Sequence, residues 1–309
     1  MFRNIVANRK KYLPFILVSL LVGGALLFTN TTPTSSEKTK EITPTLFVHG
    51  YKGGPGSFGT MLSRLESQNI GQKSMIARVT RNNKLLISGD ISNQTNPFIQ
   101  VIFENNRASI KSQTAWLQQI LRHLHDDYNI ENVNLVGHSM GGLSSTNFVL
   151  HNQNDHYPNV DKLAVIASPF EGIERDGYFD VNTGRAAVDL QSKSQALKSM
   201  VDRKHQFDEN THVLAVAGVI NKEKGEKTEE AEILATSNQR YNNREAKQTE
   251  VAWDGLVSLP SALGIKTIAP KEHYAQKIFY DTRATHSGLH EHTGVDATLA
   301  KFLWNIQSH

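Results

Sequence analysis

The twelve residues Asn132-Val-Asn-Leu-Val-Gly-His-Ser-Met-Gly-Gly-Leu143 restrict what this chain can fold into more than any other stretch of it. Asn132 to Val136 reads as a short buried strand, and the apolar positions from Leu143 to Leu150 keep helical spacing. Between them Gly137-His138-Ser139-Met140-Gly141 fits Gly-x-Ser-x-Gly. On a strand-turn-helix this pattern makes a turn so sharp that the serine takes strained dihedrals and its hydroxyl stands clear of the sheet. Side chains at 137 and 141 would collide where strand and helix almost touch, and Gly142 lets the helix start pack close. An ordinary glycine-rich turn satisfies the five-residue pattern by itself; the strand before it and the helix after it make Ser139 the candidate nucleophile.

A serine hydroxyl is a weak nucleophile near neutral pH. Ser139 therefore requires a base within hydrogen-bond reach, and the base requires a carboxylate to orient it and balance the imidazolium. Strands alternating with helices around such a turn predict the chain order Ser, then Asp or Glu, then His. Trp253-Asp254-Gly255-Leu-Val-Ser258 puts an acid in a tight turn, and Thr285-His286-Ser-Gly-Leu-His290-Glu-His292 falls between the last strand and the last helix. Asp254 competes with its own reading as a turn residue that hydrogen-bonds its backbone. Asp281, five residues before His286, is expected in the last strand and pointing along the sheet, and Asp208 and Glu209 precede a strand rather than follow one. His286 comes first after the strand and is preferred as the base. His290 stays the alternative, its ring expected to pack at the start of the last helix. The spacing His286-x-x-x-His290-x-His292 also suggests three imidazoles on a zinc ion. Ligands four apart need a helix, however, and Ser287-Gly288 argues for a loop, so no metal and no cofactor is expected.

Thr45-Leu-Phe-Val48 is an early buried strand that runs into His49-Gly50-Tyr51-Lys-Gly-Gly-Pro-Gly-Ser57. This loop lacks both the Lys-Ser/Thr ending of a phosphate-binding loop and the GxGxxG spacing. Beside the Ser139 turn it has another use. A His-Gly turn aims the amide of Tyr51 into the crevice faced by the amide of Met140, and the two N–H groups make an oxyanion hole.

The remaining elements follow from pattern. Strands are expected at Ser74–Thr80, Leu85–Ile87, Phe98–Phe103, Leu163–Ala167, Val213–Ile220 and Lys277–Tyr280, with either the second or the third of these forming an antiparallel edge. Helical spacing marks 109–128, where His123 and His125 are expected to face solvent, and a closing helix carries Val295, Leu299, Phe302, Leu303 and Ile306. Residues 170–210 form an insertion of the kind that serves as a small cap. Residues 221–250 hold 13 charged positions in 30 and read as a solvated excursion.

At the other end, Arg3, Arg9, Lys10 and Lys11 precede the uncharged run Leu13–Phe28. As a helix those sixteen residues span about 24 Å, between a signal-peptide core and a full membrane span. No small-x-small cleavage site follows Phe28, so residues 1–30 are expected to be an uncleaved anchor with the basic flank inside, a cleaved signal peptide being the alternative. Residues 31–43 are polar and of low complexity, a linker; 44–309 is the folded domain. Four of the 33 basic residues lie in the first eleven positions, which leaves 29 against 30 acidic in the body and no electrostatic case for a nucleic-acid partner. The absence of cysteine excludes disulfides, thiolate metal sites, a cysteine nucleophile and a lipidated N-terminal cysteine.

Leu46-Phe-Val-His-Gly50, Gly137-His-Ser-Met-Gly-Gly142, Asp254-Gly-Leu-Val-Ser258 and His286-Ser-Gly-Leu-His-Glu291 together resemble the α/β hydrolases. More closely, they resemble the Gram-positive cell-surface hydrolases grouped as domain of unknown function 915. The resemblance spans residues 45–309. It implies a mostly parallel sheet of about eight strands with helices on both faces, esterase or lipase-like activity, and Ser139, Asp254 and His286 as the triad. The expectation is a serine hydrolase of small-molecule or lipid esters outside the cell membrane. Acyl transfer by the same residues, or a tethered binding module on a hydrolase scaffold, are its rivals.

Overall fold

The computed structural model describes residues 42–92, 94–152, 156–220 and 251–307. Its strands are β1 (Thr45–Val48), β2 (Gln72–Val79), β3 (Leu85–Gly89), β4 (Pro97–Phe103), β5 (Asn132–His138), β6 (Asn159–Ile166), β7 (His212–Gly218) and β8 (Tyr274–Phe279). They form one sheet in the order β3-β2-β4-β1-β5-β6-β7-β8. Every neighbouring pair is parallel except β2 with β3, which makes β3 the antiparallel edge.

The central strands are apolar almost without interruption because both faces are covered. All seven residues of β4 are buried, whereas β3 at the edge buries none. Alternate residues feed two cores. Leu46 and Val48 join the side covered by helices α2 (Ile110–Tyr128) and α3 (Met140–Val149). Phe47 joins the opposite side, with Phe58, Met61 and Leu65 of α1 (Gly56–Ser67). The side chain of Ser109 caps α2 by accepting from the Ser112 amide, and Asn129 ends it in the left-handed region at φ 52°. On its outer face His123 pairs with Asp127 and His125 with Asp126.

β1 lies inside the sheet, with β4, β2 and β3 successively further out on one side of it and β5–β8 in order on the other. That reversal of strand order falls between β1 and β5, and ligands of open α/β sheets bind at the carboxyl ends of strands at such a point. The His49-Gly50 loop leaves one of these strands and Ser139 leaves the other.

The insertion folds into short helices α4 (Tyr178–Val181), α5 (Arg185–Asp189) and α6 (Gln195–Asp202), which bury Leu190, Leu197 and Met200. Asp189 accepts the Ile110 amide at 2.7 Å and so occupies the amino end of α2. A further short helix, α7 (Leu259–Ala262), precedes the closing helix α8 (Thr293–Trp304). The last strand begins three residues earlier than its apolar pattern suggests, because as a sheet edge it keeps Ala275 to Lys277 exposed. Asp281 lies beyond it rather than within it.

Arg64 fastens α1 to α8. Its Nε and Nη2 meet the two carboxylate oxygens of Asp296 at 2.6 and 3.0 Å, Nη1 meets Glu291 at 3.0 Å, and Nη2 also donates to the His290 carbonyl. The Asp296 side chain is 1% exposed. Arg64→Met strands that carboxylate without its partner and should cost about 3–5 kcal/mol. Urea unfolding measures the loss, and one below ~1 kcal/mol would show the contact to be dispensable.

The expected anchor at 1–30, nearly all of the linker at 31–43, and the charged segment 221–250 lie outside the described residues. Among the described residues no helix is long and apolar enough to cross a membrane. Ile42–His309 clusters as one unit; Ile42 packs against the core, and the Pro44 carbonyl accepts the amide of Asn134.

Candidate active site

Ser139 sits between β5 and α3 with φ 54° and ψ −127°. A non-glycine residue there stores on the order of 1–3 kcal/mol, which the surroundings must hold. The Ser139 amide donates to Ile166 at 2.8 Å and its carbonyl accepts from Gly142 at 3.0 Å. The turn is as tight as its glycines imply: a Cβ on Gly137 would lie 2.4 Å from the Cα of Gly142.

Two other loops bring their side chains to this hydroxyl. His286 Nε2 is 3.0 Å from Ser139 Oγ, and His286 Nδ1 is 2.9 Å from Asp254 Oδ2. The carboxylate only accepts, so Nδ1 carries the ring proton and Nε2 is left to accept from the serine. Asp254 is 2% exposed and does two things at once. Its Oδ1 accepts the amides of Leu256 at 2.9 Å and Val257 at 2.7 Å, while Oδ2 faces the imidazole. The turn reading and the site reading of this residue are thus compatible, one oxygen serving each.

The loop after β1 folds over the same point. A Cβ on Gly50 would come within 2.9 Å of the Ser139 Cβ and 3.1 Å of the Met140 nitrogen, so only glycine lets the backbone approach. Among the described residues neither the Tyr51 nor the Met140 amide is donated to another group. His49 braces the loop. Its Nε2 accepts the Phe103 amide at 3.0 Å, which leaves Nδ1–H for the Gly50 carbonyl at 2.9 Å. The insertion holds it from above: Tyr51 Oη donates to Thr183 at 2.9 Å and accepts from Arg107 at 3.1 Å, and Lys52 bonds Asn182.

The other two histidines of this loop are engaged elsewhere. His290 packs beside His138 and Phe58, three residues before α8 begins, and pairs with Glu291 at 3.3 Å. His292 caps α8 through Nδ1 and meets Asp281 through Nε2 at 2.8 Å, a pairing not foreseen for either residue. Among the described residues no group of three or more His, Cys, Asp or Glu side chains could hold a metal ion.

Burial pushes His138 well below the ordinary histidine range, with charge on His286, His290 and His49 adding to it. Burial lowers His49 as well, and it lowers His290 against the opposing pull of Glu291. The unfolded chain protonates these rings near ~6.5 while the folded protein resists, so stability should fall as pH drops below ~6.5. Each ring contributes up to about 1.4 kcal/mol per pH unit within that window. Urea unfolding at about pH 7.5 and about pH 5.5 checks the sign, and equal stability at both would contradict it.

His138 is the part of the site that the sequence does not mark. His138 occupies a free position of the five-residue pattern, and its contact lies 148 residues away; nothing local marks it.

The chain matches the family model described as an alpha/beta hydrolase of unknown function (DUF915) over residues 32–237 and 242–306. A solved structure from Listeria innocua superposes with a TM-score of 0.67 at 21% identity, covering 86% of this chain and 95% of that one. Another, described as a candidate cell surface hydrolase from Lactobacillus plantarum WCFS1, gives 0.60 at 20% identity over 87% of this chain and 94% of that one. At these identities the likeness is one of fold. No curated protein matches.

Proposed function

This chain belongs to the DUF915 family of α/β hydrolases, and from that membership we propose that it is a serine hydrolase acting on carboxylic esters. The observation that carries the reading is the unbroken hydrogen-bond path Ser139 Oγ, His286 Nε2, His286 Nδ1, Asp254 Oδ2, at 3.0 and 2.9 Å.

In this reading Ser139 Oγ attacks the ester carbonyl as His286 Nε2 takes its proton. Asp254 keeps the imidazole in the accepting tautomer and balances the imidazolium. The Tyr51 and Met140 amides receive the charge that develops on the carbonyl oxygen. His286 then protonates the departing alcohol, leaving an acyl group on Ser139. Water, deprotonated by the same imidazole, attacks that acyl group and releases the acid. A panel of p-nitrophenyl esters of graded acyl length tests the reading and gives the chain-length preference. Turnover that is saturable and lost with Ser139→Ala supports it; no turnover of any member beyond the rate in buffer would sink it.

The place of action we propose is the outer face of the cell membrane. The basic-then-apolar order of residues 1–30 supports this, and so does the description of the Lactobacillus plantarum protein as a candidate cell surface hydrolase. Deleting residues 1–30 is expected to move the protein from the membrane fraction to the soluble one with its ester turnover kept. Full chain that fractionates as soluble would contradict the anchor.

A further inference from the structure

His138, the nucleophile's neighbour in sequence, has no part in the chemistry above, yet it is 6% exposed and turned toward the base. Its Nε2 lies 2.8 Å from the main-chain carbonyl oxygen of His286. A carbonyl can only accept, so Nε2 carries the proton of this ring. The ring packs on two others, its centroid 4.9 Å from that of His286 at 49° and 4.9 Å from that of His290, nearly edge-on.

We infer that His138 is a positioning residue for the general base, its Nε2–H tying the backbone of His286 to the strand end that carries Ser139. The inference rests on the serine-hydrolase reading. The backbone of His286 is held at both ends: its N–H donates to the Asp254 carbonyl at 2.9 Å, and its C=O accepts from His138. The acid's turn grips one side of the base and the nucleophile's strand grips the other. Without the second grip, the reach from Ser139 to His286 would depend on a loop, 281–287, in which only Ala284 is buried. With it, Ser139 and the anchor of its base are adjacent residues, and their separation is fixed locally.

The ring also stays uncharged beside the imidazolium that forms on His286. It is buried, it faces His286, His290 and His49, and burial lowers its affinity for a second proton. The charged groups nearest this cluster are Asp254 behind His286, and Glu291 and Arg64 behind His290; none of these bonds His138.

The test uses the full chain and the second-order rate at which a fluorophosphonate labels Ser139, read by intact mass and corrected for folded fraction. His138→Phe keeps a ring and removes the donor. His138→Asn keeps an amide too short to reach, and His138→Gln restores an N–H near the position of Nε2. A misplaced base should slow labelling of the Phe and Asn variants roughly 30–100-fold, with Gln recovering to within ~5-fold of the unchanged chain. A role in packing alone would lower the melting temperature without separating Gln from Asn. If His138→Phe does not fold, the Gln–Asn comparison decides. Unchanged labelling in Phe or Asn, or Gln no faster than Asn, overturns the inference and leaves the hydrolase reading standing. An unchanged chain that does not label at Ser139 overturns both.

Discussion

Ser139→Ala is expected to lower kcat for ester hydrolysis by about 10⁵–10⁶-fold, to whatever rate the oxyanion donors and binding support without a nucleophile. The fold should hold. The substitution deletes one hydroxyl that, among the described residues, accepts no backbone amide and bonds only His286 Nε2. The backbone strain at φ 54° remains with alanine, so no stability is regained there. Melting temperature within a few degrees of the unchanged chain, together with lost turnover, is the expected pair of results. Turnover kept at the unchanged rate would end the nucleophile assignment.

His286→Ala should be nearly as severe, on the order of 10⁴–10⁶-fold in kcat, because the serine then has no acceptor for its proton. His290→Ala is the control that gives this number meaning. Its ring touches His138 and Phe58 and its nitrogen meets Glu291, so about 1–2 kcal/mol of stability should go while kcat changes less than ~10-fold. Asp254→Asn falls between them, and the geometry says why. The new carboxamide would keep its oxygen for the Leu256 and Val257 amides, so its nitrogen would face His286 Nδ1. A donor there forces the proton onto Nε2, the tautomer that cannot accept from Ser139, for a loss near ~10⁴-fold. Comparing kcat and melting temperature across the three variants separates these roles. A dead His290→Ala enzyme beside a merely unstable His286→Ala would exchange them.

Much of this was legible in the sequence because the constraints are local or ordinal. Gly137 and Ser139 announce the turn through steric need, and the chain order of strands and helices leaves few places for an acid and a base after Ser139. The three side chains so chosen are the three that meet within hydrogen-bond distance. The rest was illegible for physical reasons. Helices of four, five and eight residues in the insertion are too short for apolar periodicity to declare itself. An edge strand such as β8 hides its start by exposing Ala275 to Lys277. Contacts such as Arg64 with Asp296 or His138 with His286 join residues 232 and 148 positions apart, and only tertiary packing brings them together. For Asp254 the turn reading competes with the preferred site reading in the sequence, because a sequence does not show that the two oxygens of a carboxylate can point different ways.

The most direct measurement is peptide mass spectrometry of the full chain after treatment with a fluorophosphonate. The account predicts one adduct per chain, on Ser139, absent from Ser139→Ala and strongly slowed in His286→Ala. An adduct on another residue, or ester hydrolysis by a chain that forms none on Ser139, would contradict it.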